Sequence, residues 1–111
     1  MKYEFKGRHY IASFKNCQNT MILSTEQVRV ALEIANTTIL SHSDYSFENG
    51  GYTCVFLLRE SHCSIHTYPE HHSIFIDLFT CGDTCNIDAF HARMLELFQP
   101  GDCKFQIITR E

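Results

Sequence analysis

The sequence is short of positive charge. Its 111 residues carry nine Lys and Arg against thirteen Asp and Glu, a formal net charge of -4. A nucleic-acid binder needs a basic face to neutralise phosphates, so that class is excluded. Long hydrophobic runs are missing too. No stretch approaches the ~20 apolar residues of a membrane span, so a membrane-spanning chain is not expected. Met1–His9 is polar and lacks the apolar centre of a secretory signal, which makes the reducing cytoplasm the expected compartment. No repeat, low-complexity tract or Pro/Gly/Ser linker interrupts the chain, and its length suits one domain over residues 1–111.

What is present points to an ordered domain with one core: 44% hydrophobic and 20% charged residues. Seven histidines and six cysteines are many for this length. In a reducing compartment the cysteines are expected as free thiols. Cys54 and Cys63 lie in apolar, strand-like segments where a thiol acts as a small hydrophobe, so at most one or two of the six are expected to carry chemistry.

Hydrophobic periodicity organises the chain. Phe5–Phe14 alternates weakly and reads as a strand. Ser24 with Gln27 is a capping-box signature opening a helix over Thr25–Asn36, with Val28, Ala31, Leu32 and Ala35 on one face. Strands follow at Thr37–Ser41 and, after the Asn49-Gly50-Gly51 turn, at Tyr52–Leu58. Arg59–Ser61 breaks the apolar run, Cys63–Thr67 resumes it, and Pro69–His72 is a loop. In Ser73–Phe79, Ile74, Ile76 and Leu78 share one face, and Phe75, Asp77 and Phe79 the other. A second helix puts Ile87, Phe90, Met94, Leu95 and Phe98 together. Pro100-Gly101 stops it before a last strand, Cys103–Thr109.

The order β-α-β-β-β-β-α-β, with hairpin-like links in the middle, predicts an α+β fold: a two-layer sandwich of a largely antiparallel sheet with two helices on one face. The other sheet face would be open. Because Ser73–Phe79 is apolar on both sides, a second copy of the chain is the simplest cover, with the sheets facing each other across a homodimer.

Chemistry concentrates in Glu60-Ser61-His62-Cys63-Ser64-Ile65-His66-Thr67-Tyr68-Pro69-Glu70, and again in Asp77-Leu78-Phe79-Thr80-Cys81-Gly82-Asp83. The pairs His62/His66 and Cys81/Cys85, with His71 and His72, loosely fit zinc spacing, but an extended segment separates His62 from His66, and no metal site is expected. A Ser/His/Asp hydrolase lacks its G-x-S-x-G elbow. A Cys81 nucleophile with a histidine partner is a further alternative. The plainest reading is a set of satisfied polar residues on a half-exposed strand, and the residues alone leave these alternatives open.

The Glu60–Glu70 run resembles the signature of the bacterial and archaeal S-adenosylmethionine decarboxylase proenzymes. Gly7-Arg8-His9, Cys17, Phe47 before the Gly50-Gly51 turn, and Asp77–Gly82 match that family in order, so the resemblance covers most of the chain. It implies self-cleavage between Glu60 and Ser61 into a β chain, 1–60, and an α chain, 61–111. Ser61 would become a pyruvoyl group, the family's cofactor, which forms a Schiff base with the substrate amine. By the same resemblance His66 removes the Cα proton during processing, a task that suits imidazole near neutral pH. Cys81 is the proton donor in decarboxylation. Thr53 stands where the family often has a serine whose hydroxyl polarises the scissile carbonyl. Phe47 would stack on adenine, and Glu70 would hold the ribose hydroxyls.

The implied reaction is decarboxylation of S-adenosylmethionine to an aminopropyl donor for spermidine and other polyamines, by a homodimer of processed protomers. The sequence departs from the family at Ser13, where an acidic residue is usual, at Cys63, where an aliphatic is usual, and at Tyr68, where Trp is usual. Ser13 keeps ornithine and arginine open as substrates of the same chemistry. A non-catalytic homologue acting as a dimer partner is the alternative from another class.

Overall fold

A computed structural model describes residues 5–20 and 25–111. The elements are β1 (Gly7–Cys17), α1 (Glu26–Ile34), β2 (Ile39–Ser46), β3 (Tyr52–Leu58), β4 (Ser61–Tyr68), a 3-10 turn (Pro69–His71), β5 (Ser73–Cys81), α2 (Ile87–Phe98) and β6 (Pro100–Arg110). This is the expected order. The strands form one sheet in the order β2-β3-β4-β5-β1-β6, and every neighbouring pair is antiparallel.

Alternation sorts each inner strand into two faces. Tyr10, Ala12 and Phe14 of β1, Cys54 and Phe56 of β3, Cys63 and Ile65 of β4, and Ile74, Ile76 and Leu78 of β5 are buried. They share one core with Val28, Ala31 and Leu32 of α1 and with Ile87, Phe90, Met94 and Phe98 of α2. Full burial of a Phe such as Phe90 contributes about 2–3 kcal/mol. Leu95 packs at the margin of this core.

Element ends follow local chemistry. Asn86 caps α2 by accepting from the Ala89 N–H at 3.0 Å. The capping serine expected at Ser24 lies outside the described residues; α1 begins after Thr25, which makes no side-chain cap bond. Between β2 and β3 the Phe47 N–H donates to the Gly51 carbonyl at 2.8 Å, and Gly50 takes φ 89°, which favours glycine.

Several boundaries differ from expectation: among them, β4 already starts at Ser61, before the expected Cys63, and β5 runs past Phe79 to Cys81, because the two strands pair from Ser61↔Thr80 onward. β1 begins at Gly7 and runs on to Cys17. β2 runs from Ile39 to Ser46 instead of Thr37–Ser41, because pairing to β3 alone sustains this exposed edge strand. Pro100 opens β6 instead of standing between helix and strand; β6 is the other edge, where a missing N–H is tolerated, and the helix itself ends with Gln99 in the left-handed region.

The face opposite the core is open. Ile11, Val55, Leu57, Phe75 and Ile108 remain 39–52% exposed there. Among the described residues no helix is long and apolar enough to cross a membrane.

Candidate active site

Glu60 and Ser61 sit at the tight link from β3 to β4. Glu60 is 2% exposed, and its carboxylate Oε1 accepts from the Thr38 N–H at 2.9 Å. Its carbonyl oxygen accepts twice from one residue: from the Cys81 N–H at 2.9 Å and from the Cys81 Sγ–H at 3.0 Å. The β4–β5 pairing, with Ser61 opposite Thr80, sets this up by laying the end of β5 beside Glu60. Gly82, at φ 121°, then turns the chain away. Two donors on one carbonyl draw electron density from its carbon, an arrangement able to stabilise negative charge on its oxygen. The hydroxyl of Ser61 comes next along the chain, and its Oγ lies 3.1 Å from Nδ1 of His62.

The open face behind Ser61 carries a polar row. Asp77 Oδ2 accepts from the Ser64 hydroxyl at 2.6 Å. Asp77 Oδ1 lies 3.5 Å from Nε2 of His9 and 3.7 Å from Nε2 of His62. Both histidine rings pack against Phe79, with centroids at 5.4 and 5.7 Å. The grouping of His9, Ser64 and Asp77 beside His62 escaped sequence reasoning. The available signal was the period-2 spacing of His62, Ser64 and His66, which puts three polar side chains on one side of a strand.

The other expected residues gather at the opposite end of β4. His66 pairs across the sheet with Thr53 on one side and Phe75 on the other. Its ring lies 4.4 Å from Tyr68 and 5.7 Å from Phe47, and Phe47 meets Tyr45 at 4.8 Å. Glu70 accepts from the Asn49 side chain at 3.1 Å on the adjoining turn. Beside this corner an open depression of about 290 Å³ is bordered by Ile11, Ser13, Ser64, His66, Phe75 and Asp77. His66 is five strand residues from Ser61, a separation of ~16 Å, so the two do not meet within one chain. Thr53, opposite His66, is equally remote from the Glu60 carbonyl.

The remaining thiols behave as core. Burial pushes the Cys54 thiol up to about 12 and Cys17 up to about 11, and holds Cys63 well above its ordinary value. They stay protonated at neutral pH and are poor nucleophiles. Among the described residues no group of three or more His, Cys, Asp or Glu is set to hold a metal ion.

Residues 8–111 match the family described as S-adenosylmethionine decarboxylase. The chain is 34% identical over 108 residues to the S-adenosylmethionine decarboxylase proenzyme of Archaeoglobus fulgidus, covering 94% of this chain and 96% of the relative. It is 32% identical over 108 residues to the proenzyme of Thermoplasma acidophilum, covering 94% and 82%. The crystal structure of the adenosylmethionine decarboxylase from Aquifex aeolicus VF5 superposes with a TM-score of 0.78 at 32% identity, over 97% of this chain and 91% of that one.

Proposed function

The chain belongs to the S-adenosylmethionine decarboxylase family, and on that premise we propose that it is a self-processing proenzyme that splits at Glu60–Ser61 and decarboxylates S-adenosylmethionine for polyamine synthesis in the cytoplasm. The relatives' named activity favours this substrate over ornithine or arginine. One observation carries the reading: both Cys81 donors converge on the Glu60 carbonyl beside the Ser61 hydroxyl.

The processing chemistry follows from these atoms. Ser61 Oγ attacks the Glu60 carbonyl carbon, and the oxyanion is held by the Cys81 N–H and Sγ–H. The C–N bond breaks, leaving an ester and a free Ser61 amine. A base then removes the Ser61 Cα proton, the Oγ–Cβ bond breaks, and Glu60 leaves as a carboxylate that ends the β chain. The remaining dehydroalanine tautomerises to an imine, and water releases ammonia and leaves a ketone. That pyruvoyl group supplies a carbonyl for the substrate amine and an electron sink for the departing carbon dioxide. The residues fit it, since the nucleophile, scissile carbonyl and oxyanion donors are already assembled around Ser61.

His66 is assigned the Cα proton, and its distance from Ser61 supports a site shared between two chains. Each chain offers two half-sites, one at each end of β4: Glu60, Ser61 and Cys81 at one end, and Phe47, Thr53, His66 and Glu70 at the other. Two copies stacked by a two-fold axis through the open faces place one half-site over the other, twice. The apolar residues exposed on that face are then buried. Phe47 and Tyr68 offer flat rings for adenine, and Glu70 offers a carboxylate for ribose hydroxyls. The chain's net charge of -4 agrees with a cationic sulfonium substrate without discriminating it from ornithine or arginine.

The deciding experiment is a denaturing intact-mass spectrum of the purified protein. Two fragments meeting at Glu60/Ser61 are expected, the C-terminal one lighter by one ammonia than a serine start, and borohydride should abolish activity. A single persistent full-length mass would overturn the assignment and leave the non-catalytic dimer partner as the reading.

Cys81 has a second task in decarboxylation. A Cys81→Ala chain keeps the backbone donor to Glu60, so it is expected to split, more slowly. Its kcat per pyruvoyl group should fall about 100-fold, since the thiol returns the proton to the substrate Cα. An unchanged kcat would remove that role.

A further inference from the structure

We propose that His62, oriented by Asp77, is the base for the first processing step, the attack of Ser61 on its own peptide bond. The inference rests on the function proposed above and assigns a step that His66 is too far away to serve within one chain.

His62 Nδ1 is 3.1 Å from Ser61 Oγ, within reach of its proton. For Nδ1 to accept, the ring must carry its proton on Nε2. Asp77 Oδ1 lies 3.7 Å from that Nε2, is buried, and makes no hydrogen bond of its own. A carboxylate so placed favours the Nε2–H tautomer and stabilises the imidazolium once it forms. Asp77 is itself held by the 2.6 Å bond from Ser64. The row Ser61–His62–Asp77–Ser64 therefore has the order nucleophile, base, positioning residue and anchor. His9 Nε2 also approaches the same oxygen, at 3.5 Å, and like it is buried without a hydrogen bond.

The step balances without another reactant. Nδ1 takes the Oγ proton as the Oγ–C bond to Glu60 forms. As the C–N bond breaks, the same proton passes to the Ser61 nitrogen, which leaves as a free amine. The net change is an isomerisation of amide to ester, and the Cα proton is left for His66.

The test measures the ester directly, because hydroxylamine cleaves esters and spares amides. Ester appearance is followed after cell-free synthesis in a His66→Ala chain, where the later step is blocked, with and without a further His62→Ala or Asp77→Asn. His62→Ala should slow ester appearance about 100-fold, and Asp77→Asn about tenfold. In chains with His66 intact, either substitution should leave the conversion of ester to pyruvoyl at its usual rate, a step selectivity that a merely structural role would not produce. If His62→Ala loses its thermal unfolding transition, the isosteric Asp77→Asn carries the test. Ester forming at the parent's rate in the folded variants overturns the proposal. The unaltered chain runs alongside. If it splits and His62→Ala alone splits equally fast, only this inference falls; if the unaltered chain never splits, the proposed function falls and takes the inference with it.

Discussion

A Ser61→Ala chain is expected to stay whole at full mass and to decarboxylate nothing. The effect is all-or-none because alanine removes the only atom that can open the Glu60 peptide bond, and with it the oxygen whose loss creates the unsaturated carbon. No neighbouring group replaces it. The other nearby hydroxyls, Ser64 and Thr80, are not attached to the residue whose nitrogen must leave. Folding should survive: among the described residues the side chain's hydrogen bond is to His62, and its loss costs about 1 kcal/mol. The variant therefore preserves the intact precursor, with the Cys81 donors still on the Glu60 carbonyl. Splitting at the same bond in this variant would sink the mechanism.

Where the sequence is periodic and bounded, it matches the structure closely. The strand expected at Tyr52–Leu58 is β3 residue for residue, because a glycine turn precedes it and a break in the apolar run follows it. The core face of β5 is also as expected, since Ile74, Ile76 and Leu78 alternate strictly. The edges are less legible. β2 is polar along most of its length and is held by backbone pairing, which leaves no trace in side-chain pattern. The start of β6 is hidden for a related reason: Pro100 has the same local signature whether it terminates a helix or begins an edge strand.

The candidate site shows a different limit. Its residue types are visible as a dense polar run, and the family resemblance assigns their roles. Their spatial grouping is not visible. Ser61 and His66 stand in one short motif, yet β4 keeps them ~16 Å apart. Cys81 is twenty residues further along the chain than Ser61, yet it donates to the Glu60 carbonyl because β5 runs back beside β4. Asp77 sits beneath His62 for the same reason. Strand register decides these meetings, and register is a property of pairing between segments.

The separation of the half-sites makes complementation the sharpest test of the dimer. Ser61→Ala lacks the nucleophile and keeps His66. His66→Ala keeps the nucleophile, stalls at the ester, and should split at least 100-fold more slowly than the unaltered chain. Each alone is expected to be inactive. Unfolded together and refolded at equal concentration, random pairing makes half the dimers mixed, and each mixed dimer holds one complete site, so activity should return to about a quarter of the unaltered protein's. Only the chain carrying Ser61 should split, and at most about half of it, because the rest is trapped in dimers without His66. The mass spectrum identifies which chain was cut. If His66 served the Ser61 of its own chain, no mixture could recover splitting, since neither parent contains both groups. A mixture as inactive as its parents, with mixed dimers demonstrated by a tag on one parent, would overturn the shared site. Recovery requires that Ser61 of one chain meet His66 of another, and burying the apolar residues exposed on the open sheet face would drive that association.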